Sequence, residues 1–318
     1  MLQNFDAMKK LFVLASAYLF MFAVASAQKF DPHFGLGVGV GTTGIAIDAS
    51  GTFNNYLGAR IGVDIVPKIK LSTELDLGTE GSNRKISELT NEINDLNVQL
   101  ANAGMEQVDL SQFPNGNLPN QMDVKAKLDN TTYHFLVDVY PFGGKSSFHV
   151  TAGAYYGPSE IISVYNSEDG FLRPITAYNE AIKYAQGKPT TDNVRQVVDQ
   201  YGLKMIGAEL GDYFITPDPA ENGNVKATLE VKKFRPYVGL GFGRAVPKNR
   251  VGCQFDLGVQ FWGSPKVYAP TYDKNTGLYQ REQLTESKAG GDAGGVLKTI
   301  SSVSVYPVLN FRLVGRIF

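Results

Sequence analysis

The chain has 318 residues, a formal net charge of −1 and a single cysteine, Cys253. A balance so close to neutral supplies no field to recruit nucleic acid, and one cysteine excludes an intramolecular disulfide. The 34 glycines and 11% aromatic content suit a membrane β-barrel, which uses small residues inside and aromatics at its lipid edges.

The first residues read as an export signal. Lys9 and Lys10 supply positive charge, residues 11–24 an apolar run of h-region length, and Ala25-Ser26-Ala27 an A-x-A cleavage site. Residues 1–27 are therefore expected to be a signal peptide, with cleavage after Ala27 and a mature chain of 28–318. Met8 is an alternative start. Gln28 is not a cysteine, so it offers no lipoprotein attachment. No later stretch reaches the ~18 consecutive apolar residues of a membrane helix. A crossing must then use strands, and in lipid only a closed barrel satisfies their backbone groups.

Alternation of apolar and polar residues predicts eight strands, since successive strand side chains point to opposite faces. The first, near Phe34 to Val40, sets Phe34, Leu36, Val38 and Val40 against Gly35, Gly37 and Gly39. The second, near Ile45 to Ser50, turns Ile45, Ile47 and Ala49 outward. Apolar parity switches across Gly41-Thr42-Thr43-Gly44, through either a tight turn or a bulge in one long strand. The turn is preferred because it keeps the strand count even and puts both termini in the periplasm.

The third strand, Leu57 to Ile65, sets Leu57, Ala59, Ile61, Val63 and Ile65 against Gly58, Arg60, Gly62 and Asp64, and its pattern allows an extension toward Leu77. The fourth turns Tyr133, Phe135, Val137 and Val139 outward and His134, Asp138 and Tyr140 inward. The fifth turns Phe148, Val150, Ala152, Ala154 and Tyr156 outward and Thr151, Gly153 and Tyr155 inward. The sixth places Phe234, Pro236, Val238, Leu240 and Phe242 outside, with Arg235 and Tyr237 inside. The seventh runs from Val251 to Phe261 with Gln254, Asp256 and Gln260 inside. The eighth places Leu309, Phe311, Leu313 and Ile317 outside, with Asn310, Arg312 and Arg316 inside; Phe318 falls out of phase by one.

Connections alternate in length. Turns near Asn54-Asn55, Gly143-Gly144 and Pro247-Lys248 are short, whereas connections of about 78–122, 166–224 and 264–298 are long. All three long ones follow odd-numbered strands and so emerge on one side, as outer loops do. Ile86, Leu89, Ile93, Leu96 and Leu100 recur at helical spacing and predict an amphipathic helix over 87–101. Its stripe needs a partner, either within a loop-helix hairpin or on another chain. Residues 177–186 and 194–201 predict two shorter helices, the latter capped by Thr191 or Asp192.

Four segments together carry a family resemblance: Gly-Val-Gly-Thr-Thr-Gly-Ile at 39–45, Leu57-Gly-Ala-Arg60-Ile-Gly-Val-Asp64, Val139-Tyr-Pro-Phe-Gly143, and Phe148-His-Val-Thr-Ala-Gly153-Ala-Tyr-Tyr. In these the chain resembles small outer-membrane barrels of the OmpW and OmpA transmembrane-domain type. The resemblance covers the strands and not the loops. It implies an all-β fold, an eight-stranded antiparallel up-and-down transmembrane barrel, with an outer-membrane address and no single activity.

The lumen of such a barrel is just wide enough for side chains to fill. Its polar cluster is expected to hold Arg60, Asp64, His134, Asp138, Arg235, Asp256, Arg312 and Arg316, kept ionised by mutual pairing. His134 and Asp138 invite a catalytic reading, but no nucleophile lies at matching depth. His33 and His149 stand near strand starts, and three scattered histidines predict no metal site. Asp273-Lys274-Asn275-Thr276-Gly277 resembles half of a calcium loop but lacks the later glutamate. No cofactor, metal or catalytic residue is expected. The reading is a non-enzymatic surface protein that presents structured loops, in contact with outer-membrane lipid and with a surface protein or neighbouring barrel through the loop helices. The alternatives are an OmpW-like narrow channel for small apolar solutes and a lipid-modifying enzyme.

Overall fold

Period-two alternation does close on itself in this chain. The computed structural model describes residues 31–68, 70–81 and 84–318; the expected signal peptide, 1–27, lies outside them. The chain begins with strands β1 (His33–Gly41), β2 (Gly44–Thr52) and β3 (Leu57–Ile65). A first insertion holds β4 (Lys70–Asp76), β5 (Gly78–Thr79), helix α1 (Thr90–Asn102) and β6 (Gln121–Leu128). Strands β7 (Thr132–Val139) and β8 (Phe148–Tyr156) follow. A second insertion then carries β9 (Glu160–Asn166), α2 (Arg173–Gln186), α3 (Asn193–Tyr201), β10 (Ile206–Leu210), β11 (Tyr213–Ile215) and β12 (Lys226–Glu230). After β13 (Phe234–Phe242) and β14 (Val251–Phe261) comes a third insertion of β15 (Lys266–Asp273), β16 (Leu278–Leu284), α4 (Glu286–Ala289) and α5 (Gly291–Ser302). Strand β17 (Val305–Arg316) completes the set.

Eight strands form a closed antiparallel barrel in the order β1-β17-β14-β13-β8-β7-β3-β2, with β2 paired back to β1. The expected fold class is borne out, and the barrel strands match the alternating stretches to within a few residues. Gly41 pairs with Gly44, so the parity switch is a two-residue turn at Thr42-Thr43 and not a bulge. Gly44 sits at φ +101°, where a Cβ would lie 2.3 Å from the carbonyl oxygen of Ile65; only glycine makes that turn without strain.

The barrel wall inverts a water-soluble core. Leu36, Val38 and Val40 on β1 are each more than half exposed, as are Phe135, Leu240 and Leu257 further round, while lumen positions are buried. Aromatic rings mark both ends of this apolar band. Phe142, Phe148 and Phe242 cluster at the short-turn end, and Tyr133, Tyr156 and Phe234 lie side by side in register at the other. From Phe148 to Tyr156 the strand covers about 26 Å at standard rise. Among the described residues no helix is long and apolar enough to cross a membrane.

The barrel connections span 66–131, 157–233 and 262–304, wider than the sequence suggested, because their flanks are strands. Five neighbouring barrel strands break briefly and resume above the rim: β3 as β4, β7 from β6, β8 as β9, β13 from β12, and β14 as β15. The upper sheet repeats the barrel order as β4-β6-β9-β12-β15, then adds β11, β10 and β5, with β16 on β15. The extension of β3 toward Leu77 is thus present only after a break, as β4. The break holds Pro67, which has no N–H to give a ladder; Pro158 and Pro265 stand in two of the other breaks.

The helices fill this upper sheet. Ile86, Leu89, Ile93, Leu96 and Leu100 all bury completely, in one core with Leu172, Ile175, Tyr178 and Ile182 of the second insertion. The apolar stripe thus finds its partner within the chain, though on a sheet and on helix α3 rather than in a helix hairpin. The first predicted helix begins later than read, because residues 86–88 form a separate 3-10 turn. Helix α3 is capped by Asp192, whose carboxylate accepts the N–H groups of Val194 and Arg195, and it ends on left-handed Gly202.

Candidate functional site

Seven of the eight polar residues read as lumen-facing are buried inside the barrel: Arg60, Asp64, His134, Asp138, Arg235, Asp256 and Arg312. Parity puts them there, but depth decides which of them meet. At mid-height the Arg60 guanidinium donates from Nη2 to Asp138 Oδ1 at 2.7 Å and from Nη1 to Asp256 Oδ2 at 2.8 Å. Thr151 Oγ1 donates to the same Asp138 oxygen at 2.6 Å. Charge-assisted bonds of this kind offset the cost of taking the ions out of water.

Two residues that sequence reasoning left out complete this layer. His149 Nε2 lies 2.9 Å from Asp256 Oδ1 and 3.1 Å from Gln254 Nε2. Asp48 on β2 takes Arg312 through both of its oxygens, with Nε to Oδ2 at 2.6 Å. Both fall on the inward parity of their strands, so the signal was present: Asp48 lies between outward Ile47 and Ala49, and His149 between Phe148 and Val150. Arg312 also donates to Gln254 Oε1 at 2.8 Å. The two ion-pair groups are thereby one network.

His134 and Asp64 form a second, higher pair, with Thr43 Oγ1 donating to Asp64 Oδ1 at 2.8 Å. Between the two layers Leu136, Tyr155, Tyr237 and Val308 make an apolar plug.

Two expectations need correction. Arg235 is buried but meets no carboxylate among the described residues. It donates to the carbonyls of Lys232 and Pro158 and to Asn130 Oδ1, and its guanidinium lies 5.6 Å from the Trp262 ring centre. It sits at the upper rim, where the strand breaks turn carbonyls inward. Arg316 does not enter the cluster at all. It is half-buried at the opposite mouth, donating to the His33 ring at 2.9 Å and to the carbonyls of Lys248 and Phe318.

That lower mouth is stoppered. The turn between β13 and β14 folds inward and buries Ala245, Val246 and Pro247. The Ala245 N–H donates to the Tyr140 hydroxyl at 2.7 Å, and its carbonyl accepts from Ser50 Oγ at 2.7 Å and from Arg312 Nη1 at 3.2 Å. Below this plug lies a cavity of about 390 Å³ whose lining includes His33, Arg244, Lys248 and Arg316.

The mid-height carboxylates are already committed to other partners. Asp138, His149 and Asp256 offer ligand atoms within 4.8 Å of one another, but the Arg60 guanidinium already lies between both carboxylates, so a cation there would have to displace it. His134 and His149 are each buried and bonded to a carboxylate. The calcium-like run 273–277 is the β15–β16 hairpin turn, where Asp273 accepts the N–H of Asn275 at 2.9 Å and Gly277 adopts φ +67°.

Neither a family model nor a curated protein matches the chain. Among solved structures, the chain is similar to CarO of Acinetobacter baumannii at 13% identity, over 88% of this chain and 96% of that one, with a TM-score of 0.39. It is similar to CarO2 of the same organism at 14% identity, over 91% and 100%, with a TM-score of 0.39. A major outer membrane protein of Thermus thermophilus matches at 10% identity, over 90% and 99%, with a TM-score of 0.32.

Proposed function

We propose that the protein is a non-enzymatic outer-membrane barrel whose lumen is a rigid plug and whose work is to hold an ordered domain at the cell surface for interaction. The observation that carries this reading is the pairing of two cores: a lumen braced by Arg60 and Arg312, and an upper domain with its own buried apolar cluster. Exposed apolar residues, with aromatic clusters at both ends of the β7-β8-β13 wall, support the bilayer as the barrel's solvent. The three insertions on one side support an outward-facing domain.

Since the α1 stripe is consumed inside the chain, a partner such as a surface protein or a neighbouring barrel would meet the opposite helix face, where Val98 is 58% exposed. An OmpW-like narrow channel has less behind it, because ion pairs, an aromatic layer and the Ala245 stopper cross the lumen in turn. A lipid-modifying enzyme has less still, since His134 and His149 are buried beside carboxylates.

Planar-bilayer recording of the refolded protein tests this function. The plugged reading expects a baseline current without discrete steps. Stable stepwise conductance would assign the protein to passage instead.

A further inference from the structure

Two pairs of lysines stand at the upper rim of the barrel with no acid to answer them. Lys68 and Lys70 flank the break between β3 and β4, and Lys232 and Lys233 fill the break between β12 and β13; all four are exposed. None has an ion-pair partner among the described residues. The nearby acids are already taken: Asp129 holds Lys127 at 2.8 Å and Glu160 holds Lys226 at 2.8 Å. Burial opposes the charge on Glu160, yet Lys226 and Ser163 hold its carboxyl below the ordinary range. The strand order β3-β7-β8-β13 separates the two lysine pairs by three strand spacings, about 14 Å around the wall. The Lys232 stem lies along Gly263, on the β14 side of β13, so the charges that can converge on one headgroup across that distance are those of Lys68, Lys70 and Lys233.

The outer wall directly below is dented. Ile61, Phe135, Ala154 and Pro236 form one row across these four strands, and Ala154 leaves a gap between its bulkier neighbours. A groove of about 620 Å³ opens there, lined by Ile61, Phe135, Ala154, Tyr156 and Phe234 and reaching Ile47. Tyr133, Tyr156 and Phe234 form the upper wall of the groove beneath the lysines, at the depth where aromatic residues meet headgroups. Apolar groove, aromatic step and unanswered positive charge follow one another up the wall, as chain, interface and headgroup do in a lipid.

We propose that the β3-β7-β8-β13 face binds a lipid with a phosphate monoester headgroup, one acyl chain in the groove and the phosphate between Lys68/Lys70 and Lys233. Lysine is a compact, strongly hydrated cation that meets phosphate as a point charge. The inference rests on the membrane reading above and adds a ligand class to it.

Native mass spectrometry of the full chain in detergent tests it, with dioleoyl phosphatidic acid, dioleoyl phosphatidylcholine and inorganic phosphate as probes. The wild type retains phosphatidic acid in preference to phosphatidylcholine. Lys68→Gln/Lys70→Gln/Lys233→Gln lowers that retention by about tenfold or more, given the usual worth of each basic residue beside an anionic surface. Ala154→Phe, which fills the groove and leaves the charges, also lowers it. Equal retention of both lipids, or retention unchanged in either variant, overturns the proposal. So does inorganic phosphate bound as tightly as phosphatidic acid, which would make the lysines a free-anion site. Heat-modifiable gel mobility of the wild type separates the two layers of argument: its loss defeats the membrane barrel itself, whereas intact mobility without lipid preference defeats only the lipid site.

Discussion

Arg60 and Asp256 meet across the full width of the barrel. Their strands, β3 and β14, lie four places apart in a ring of eight, so a single guanidinium ties opposite walls, with Nη1 to Oδ2 at 2.8 Å and Nη2 to Oδ1 at 3.1 Å. Such a strut works only if its other bonds are made, because buried charges are costly when half-satisfied. Asp138 and His149 supply those bonds at Nη2 and at the Asp256 carboxylate, while Arg60 Nε stays without a partner among the described residues.

Arg60→Met leaves Asp138 and Asp256 facing each other without their cation. Removing one partner of a buried pair costs about 3–5 kcal/mol. Urea unfolding of the refolded protein in lipid vesicles should show a loss of that order, and adding Asp256→Leu to the same chain should recover part of it. A single variant as stable as wild type would remove the strut from the account.

Gly37 faces Arg312 from β1, and a Cβ built there falls 2.4 Å from Arg312 Nε. The arginine is pinned by Asp48, Gln254 and the Ala245 carbonyl, so it cannot simply swing aside. Gly37→Ala should therefore destabilise by about 1–3 kcal/mol, as overpacking does, read by the same unfolding titration. An unchanged midpoint would mean that the lumen is looser than these contacts imply.

The upper domain has its own core, so damage there should stay there. Leu96 is fully buried, and Leu96→Ala should cost that core about 2–5 kcal/mol. Limited trypsin digestion should then cut within 66–131 while the barrel keeps its heat-modifiable mobility. Loss of barrel mobility in this variant would show that the two cores fold as one.

Much of the barrel was legible because an apolar outer face and a filled polar lumen force strict alternation. Runs such as Leu57 to Ile65 state their own orientation. Parity says nothing of depth, which is why Arg235 and Arg316 were grouped with the mid-height charges although each lies at a rim. Nor does it show which strands close on which, so the bond between Arg60 and Asp256, 196 residues apart, could not be read locally. The upper sheet was hidden for another reason. Its strands are short, β12 being only Lys226–Glu230, and Pro67 and Gly157-Pro158 cut them from the barrel strands they continue. In sequence those stretches look like loops.

Leu257 stands at the middle of β14, paired with Leu240 and Leu309 and more than half exposed. A nitroxide placed there through Leu257→Cys, with the native thiol removed by Cys253→Ser, reports which solvent the wall meets once the protein is reconstituted in bilayers. The account predicts strong collision broadening by oxygen and almost none by a water-soluble nickel chelate. Accessibility to the chelate equal to that of a label on exposed Lys274 would contradict it.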